Sequence, residues 1–260
     1  MDNRKTALIT GSTSGIGLGM AKALAAAGYD IMLNGFGNAD EIASLVEALR
    51  NETGVRVEYD DADLMQPAQV RAVVHNTVSK LGSIDVLVNN AGIQHVSPIE
   101  TFPEDSWHQI IALNLSAAFF ASREALPIMR GKGWGRIINT SSVHGMVASV
   151  DKAAYVAAKH GIIGLTKVTA LETAGSGITC NAICPGFVQT PLVNAQVETR
   201  ASAAGVDFDT AAATMLGDKQ PSGAFVTVEQ IGGLVAYLCT PLADQITGAN
   251  LAIDGGWTAQ

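Results

Sequence analysis

Tyr155 and Lys159 stand four residues apart in Tyr155-Val156-Ala157-Ala158-Lys159, a spacing that places both on one face of a helix. A tyrosine ordinarily loses its proton near pH ~10 and is a poor base at neutral pH. A neighbouring ammonium favours the phenolate, so the lysine is expected to pull that value down. Tyr155 can then take a proton from an alcohol or return it to a carbonyl. Ser142 lies thirteen positions upstream, at the end of a short apolar run. Its hydroxyl can donate to an oxygen on which negative charge develops. A Tyr/Lys pair standing alone would read as surface decoration; Ser142 and a glycine-rich turn near the start of the chain reverse that weight.

The turn is Thr10-Gly11-Ser12-Thr13-Ser14-Gly15-Ile16-Gly17, between an apolar run and an Ala/Leu-rich helical stretch. Its glycines let the backbone turn sharply and approach a ligand. The helix behind them offers free amides and the positive end of its dipole to a pyrophosphate. A glycine triplet is weak evidence alone, but between a strand and a helix it points to a dinucleotide site. The second expected strand ends Leu33-Asn34-Gly35-Phe36-Gly37. It carries no acid for the ribose hydroxyls and no arginine or lysine for a 2′-phosphate, which disfavours NADP. Phe36 can pack on the adenosine. Asp63-Leu64 can reach the adenine edge, and Asp63 reads equally well as a turn residue or helix cap.

These residues need elements to position them. Strands are expected over 6–10, 30–33, 55–59, 84–88, 136–139, 178–183 and 249–253. Helices are expected after the glycine turn and over 40–53, 66–81, 104–129, 153–173 and 228–238. The alternation implies an α/β, Rossmann-type doubly wound fold: a mostly seven-stranded parallel sheet with helices on both faces. Residues 194–223 break the rhythm; the segment is Ala-rich, has no strand, and reads as a small helical substrate lid or a surface helix pair. No linker or internal repeat divides the chain, so residues 1–260 are expected to form a single dinucleotide-binding and catalytic domain.

A hydrophobic fraction of 48% with 15% charged residues argues for a filled core and against disorder. The net charge of −8 argues against nucleic-acid binding and gives no reason to expect an anionic membrane partner. Cys180, Cys184 and Cys239 show no metal-ligand spacing and fit a reducing compartment; no metal is expected. No apolar run approaches the ~18 residues of a membrane span, and no leader is read ahead of the first strand. A cytoplasmic location is expected.

Asn89-Asn90-Ala91-Gly92 closes the fourth expected strand, and Pro185-Gly186-Phe187-Val188-Gln189-Thr190 follows the sixth. With the glycine turn and the Ser142, Tyr155 and Lys159 set, these motifs resemble the short-chain dehydrogenase/reductase family over essentially the whole chain. The resemblance implies Tyr155 as general base and acid, Ser142 beside it, and Lys159 also gripping the ribose. It implies that Asn114, in Leu113-Asn114-Leu115, helps to hold a water relay. Gly11, Thr13, Gly15, Ile16 and Gly17 would surround the cofactor. Asn90 would line its cleft, Thr190 would bond the nicotinamide carboxamide, and Asp63 and Leu64 would meet the adenine.

Gln94, His144, Lys152, Gln196 and Trp257 fall around the expected site. A lysine, a histidine and two glutamines make a carboxylate cradle through charge-assisted hydrogen bonds. Taken singly, Lys152 reads as a solvated helix-start lysine and His144 as a loop residue. The stretches Ser141-Ser142-Val143-His144-Gly145, Lys152 to Gly161, and Gly92-Ile93-Gln94-His95-Val96 resemble the branch of the family that acts on D-3-hydroxybutyrate. That resemblance implies NAD-dependent, reversible oxidation of (R)-3-hydroxybutyrate to acetoacetate in a homotetramer, with helices 104–129 and 153–173 pairing subunits. Some members carry tryptophan where this chain has Phe187. The smaller ring would still pack on the substrate methyl group and leaves room for a slightly longer 3-hydroxy acid. The alternatives are a 3-ketoacyl reductase, a sugar dehydrogenase or a non-catalytic dinucleotide-binding protein. The first would want NADPH and a basic patch for its carrier, and the last would not need a complete catalytic set.

Overall fold

Strands β1 (Thr6–Ile9), β2 (Asp30–Asn34), β3 (Val57–Asp60), β4 (Val86–Asn89), β5 (Gly135–Thr140), β6 (Ile178–Pro185) and β7 (Asn250–Ile253) form one sheet. The order is β3-β2-β1-β4-β5-β6-β7 and every pairing is parallel. The structure is a computed structural model and describes residues 4–217 and 219–260. Met1, Asp2, Asn3 and Asp218, the last within the stretch expected as a lid, lie outside the described residues. The expected strands are all present, with ends moved by one or two residues.

Successive strand side chains point to opposite faces. Ile9, Ile31, Leu33 and Val88 face the core shared with α1 (Gly15–Ala26), α2 (Ala39–Thr53) and α9 (Val228–Leu238). Leu8, Met32, Leu87 and Ile137 face the opposite core, shared with α3 (Pro67–Leu81) and α5 (Ala117–Lys132). Burial on both faces is why these strands read as continuous apolar runs. Helices α1 and α9 pack so closely that a Cβ on Gly232 would lie 2.8 Å from the Gly19 carbonyl oxygen. Gly19 and Gly232 therefore serve helix packing.

β2 and β4 flank β1 on opposite sides, so the chain's connections diverge there. Such a switch point opens a crevice beyond the carboxyl ends of the strands. The stretch 104–129 is not one helix. It divides into α4 (Glu104–Ile111), a π turn over Ala112–Ser116, and α5. Inside that turn Asn114 accepts from the Ile93 N–H and donates to the Ile93 carbonyl, both at 2.9 Å. The widened turn carries Asn114 to that segment, as π turns commonly do near functional sites. Helix α6 (Ala153–Glu172) matches its expected span. The strandless segment forms α7 (Pro191–Ala204) and α8 (Phe208–Gly217). It starts three residues before the expected 194, because Pro191 opens the helix and the Thr190 hydroxyl accepts from the Val193 N–H at 3.3 Å.

Candidate active site

A cleft of about 520 Å³ lies beyond the carboxyl ends of β1, β4, β5 and β6. The glycine turn forms one wall. A Cβ on Gly17 would lie 2.1 Å from the Gly11 carbonyl oxygen and 2.6 Å from Asn90 Nδ2, so no side chain fits there. Asn90 clamps the turn: Nδ2 donates to the Thr10 carbonyl at 2.9 Å and to that of Gly11 at 3.0 Å. Ser14, at the cap of α1, makes no side-chain cap bond, and the first turn carries no acid. The amides at this helix start are thus open to an anion, and the backbone can approach it closely. These features fit the pyrophosphate of a dinucleotide.

Gly11, Thr13, Gly15, Ile16, Gly17, Phe36, Asp63, Leu64, Asn90 and Thr190 all line the cleft, as expected of a cofactor site. Thr13 donates its hydroxyl to the Phe36 carbonyl at 3.0 Å, tying the glycine turn to the end of β2. Phe36 is 64% exposed at that edge, free to cover an adenosine. Asp63 lines the cleft, and its Oδ1 accepts from the Met65 N–H at 2.9 Å as a turn residue does. Asn34, passed over in the sequence, is buried at the end of β2 and donates from Nδ2 to the carbonyls of Asp60 and Ala62, each at 3.1 Å. Apart from Lys159, no lysine or arginine among the described residues lines the cleft.

Ser142 follows β5 in extended backbone, and its Oγ accepts from the His144 N–H at 3.2 Å. Tyr155 and Lys159 project from one face of α6, with Lys159 Nζ 5.5 Å from the Tyr155 ring centre. Nζ donates to the Thr140 carbonyl at 2.7 Å. Burial pushes the Lys159 ammonium down to about 8. Burial pushes the Tyr155 hydroxyl above its ordinary value, opposed by a hydrogen bond from Ser142 that favours the phenolate. The downward pull expected from Lys159 is not among the causes of the shift; loss of water around the phenol sets its direction. Asn114 lies behind the main cleft, bordering with Thr140 a separate cavity of about 10 Å³.

Gln94 and Ser142 line the cleft. His144, Phe187 and Trp257 form a ring cluster beside Tyr155. The His144 ring is edge-on to Tyr155 at 6.0 Å and to Trp257 at 5.6 Å, and Phe187 meets Trp257 at 4.9 Å. His144 Nε2 is 2.7 Å from Ser149 Oγ. Burial lowers His144 to about 4, with the charges of Lys152, Lys219 and His160 adding to the shift, so its ring is neutral at neutral pH. Burial also lowers Lys152, and the Arg200 charge adds to it. Gln196 is exposed on α7 and, like Lys152, His144, Phe187 and Trp257, is not among the residues that line the cleft. No group of three or more His, Cys, Asp or Glu among the described residues could hold a metal, and none of their helices is long and apolar enough to cross a membrane.

A parallel sheet with this switch point, an uncapped glycine-rich helix start and a Ser-Tyr-Lys set together define a dinucleotide-dependent oxidoreductase. The chain belongs to the short-chain dehydrogenase family, whose pattern it matches over residues 5–201. It is 55% identical over 260 residues to the D-beta-hydroxybutyrate dehydrogenase of Cupriavidus necator, covering 100% of both chains. It is 50% identical over 256 residues to the protein of the same name from Rhizobium meliloti, covering 98% of this chain and 99% of that one. Among solved structures it resembles the L-sorbose reductase of Gluconobacter frateurii in complex with NADPH and L-sorbose, with a TM-score of 0.93, 29% identity and 100% coverage of both chains.

Proposed function

We propose that this protein interconverts (R)-3-hydroxybutyrate and acetoacetate, with NAD as the hydride carrier. The observation that carries the reading is that Ser142, Tyr155 and Lys159 line one cleft with the glycine turn, with the His144 ring edge-on to Tyr155 at 6.0 Å. Full-length likeness to two D-beta-hydroxybutyrate dehydrogenases supports the substrate.

The nicotinamide, when bound, supplies the hydride acceptor in oxidation and the donor in reduction. The chain's own residues do the rest. Ser142 Oγ accepts from the His144 amide, and its one proton, which favours the Tyr155 phenolate in the empty site, would turn to the substrate oxygen when substrate is bound. Tyr155 takes the alcohol proton during oxidation and returns it during reduction. Lys159, held by Thr140, keeps one ammonium proton on the protein and offers the others to the ribose. Asn114 would help to hold a water relay, with the small cavity it borders beside Thr140 as the space behind it. Lys152 and Gln94 receive the carboxylate, and His144 adds a neutral hydrogen-bonding edge. Phe187 and Trp257 wall the methyl end, and α7 with α8 form a lid over it.

NAD is favoured over NADP because Asn34 spends its amide on main-chain carbonyls and, among the described residues, no lysine or arginine other than Lys159 lines the cleft to receive a 2′-phosphate. Exposed Trp107, Phe119, Val168 and Leu171, on α4, α5 and α6, support a homotetramer. Three free, buried cysteines support a reducing, cytoplasmic setting. The test is dinucleotide reduction with a panel of 3-hydroxy acids, both enantiomers, and NADP as the comparison. Turnover of the R enantiomer with NAD is expected. A preference for NADP, or for a thioester or sugar over every free acid, would overturn the assignment.

A further inference from the structure

Gln220 is a fully buried side chain between three segments that converge on the ring cluster. Its Oε1 accepts from the Phe187 N–H at 2.9 Å, and its Nε2 donates to the Ala224 carbonyl. A Cβ on Gly186 would lie 2.5 Å from that Oε1, and one on Gly255 would lie 2.7 Å from Gln220 Cγ. The amide therefore fills the space between the Phe187 segment and the loop that carries Trp257. The neighbouring backbone is tied in the same direction. Val226 N–H donates to the Phe187 carbonyl at 2.9 Å, and Ser222 N–H donates to the Gly255 carbonyl at 2.9 Å. Gln220 also stands at the foot of α8, while Phe187 stands just before α7. Its side chain thus joins the two roots of the α7–α8 segment.

We propose that Gln220 is a positioning residue for substrate: by holding the Phe187 amide it sets the Phe187–Trp257 wall against which the substrate's alkyl end packs. This rests on the reading of that wall as the substrate's. An amide suits the place because it accepts with one atom and donates with the other. A neutral carboxylic acid does the same; a carboxylate offers only acceptors and would face the Ala224 carbonyl with like partial charge.

Two near-isosteric variants test this. Gln220→Met removes both bonds and is expected to raise KM for (R)-3-hydroxybutyrate about tenfold, the scale of one lost buried hydrogen bond, with kcat and NAD affinity little changed. It should also raise the preference for five-carbon over four-carbon acids. Gln220→Glu should resemble Gln220→Met at pH ~8 and move toward the wild type at pH ~6, because burial raises a carboxyl's pKa and the protonated acid restores both bonds. Among the described residues the charged neighbours are Lys219, next in sequence, and Asp254, on the facing loop and hydrogen-bonded to Thr258 and Gly256; the wild type measured at each pH is the reference for both variants. Hydrogen exchange at the Phe187 amide, measured without any substrate, should speed up in Gln220→Met. Unchanged exchange there, or wild-type KM and chain-length preference in both variants, overturns the proposal. Faster exchange in Gln220→Met, with a wild type that turns over no 3-hydroxy acid, would instead sink the substrate reading alone.

Discussion

Gly17→Ala puts the dinucleotide reading to a quantitative test. The added Cβ would sit 2.1 Å from the Gly11 carbonyl oxygen, 2.6 Å from Asn90 Nδ2 and 2.8 Å from the Gly11 carbonyl carbon. Ordinary contacts of these kinds lie beyond ~3.2 Å, so the turn must open by roughly 1 Å, and interiors close-packed on both sides do not yield that freely. Overpacking of this order costs about 1–3 kcal/mol, or roughly 2–4 °C in Tm per kcal/mol for a chain of this size. Asn90 is pushed as well, and it holds the Thr10 and Gly11 carbonyls. The amides that would meet the pyrophosphate move with the turn, and losing one charge-assisted bond costs about 1.5–3 kcal/mol. NAD affinity, read by calorimetry on the folded variant, should therefore fall about ten- to a hundredfold. Gly164→Ala is the control: it lies in α6 with nothing within 4 Å of an added Cβ. It should leave affinity alone and stabilise the helix by up to ~1 kcal/mol. Wild-type NAD affinity in Gly17→Ala would refute the placement of the pyrophosphate at this turn.

Tyr155→Phe should abolish turnover and leave NAD affinity within about threefold, since the hydroxyl is assigned to proton transfer; retained turnover would remove Tyr155 from that role. Lys152→Ala should raise KM for a 3-hydroxy acid far more than it changes NAD affinity, and steady-state kinetics with a binding titration separate the two. In the wild type KM should also rise with pH as Lys152, already lowered by burial, loses its proton. His144 is held neutral, at about 4 against an unfolded value of about 6.5. The unfolded chain thus binds the extra proton first as pH falls, and this residue removes up to ~3 kcal/mol of stability between pH ~6.5 and ~4. Urea denaturation at pH ~7 and ~4.5 should show a shallower acid loss in His144→Gln than in the wild type.

The legible part of the site is the part encoded locally. Tyr155 and Lys159 declare themselves by helical spacing, and the glycine turn by its place between an apolar run and a helix. The strands are legible because burial on both sheet faces writes uninterrupted apolar runs. What escaped depends on partners far along the chain. Asn34 looks like a turn residue until Asp60 and Ala62 arrive to accept from it. Gln220 is one polar residue among many until the fold brings the Phe187 amide to it. Asn114 was found by motif, but the π turn that turns it toward Ile93 was not, because one extra residue per turn leaves no periodic trace in so short a stretch. The direction of the Tyr155 shift was missed for the same reason: spacing shows the lysine, whereas burial is a property of the assembled core.

A net charge of −8 sits oddly with an anionic substrate until the charges are placed. Lys152 is lowered by burial and then by Arg200, while His144 is lowered by burial and then by Lys152, Lys219 and His160. No acid appears among the causes of either shift. On the proposed reading, the carboxylate end of the substrate lies where burial and a neighbouring cation both disfavour the Lys152 ammonium. Like charges so arranged disfavour their own protonation, and a carboxylate arriving among them relieves both the repulsion and the lost hydration. The acidic remainder of the surface does not compete, because salt screens exposed charges over about 8–10 Å while the half-buried Lys152 is screened much less. On the proposed reading, a carboxylate attached to a short alkyl chain would be selected at both ends, by Lys152 at one and by the Phe187–Trp257 wall at the other.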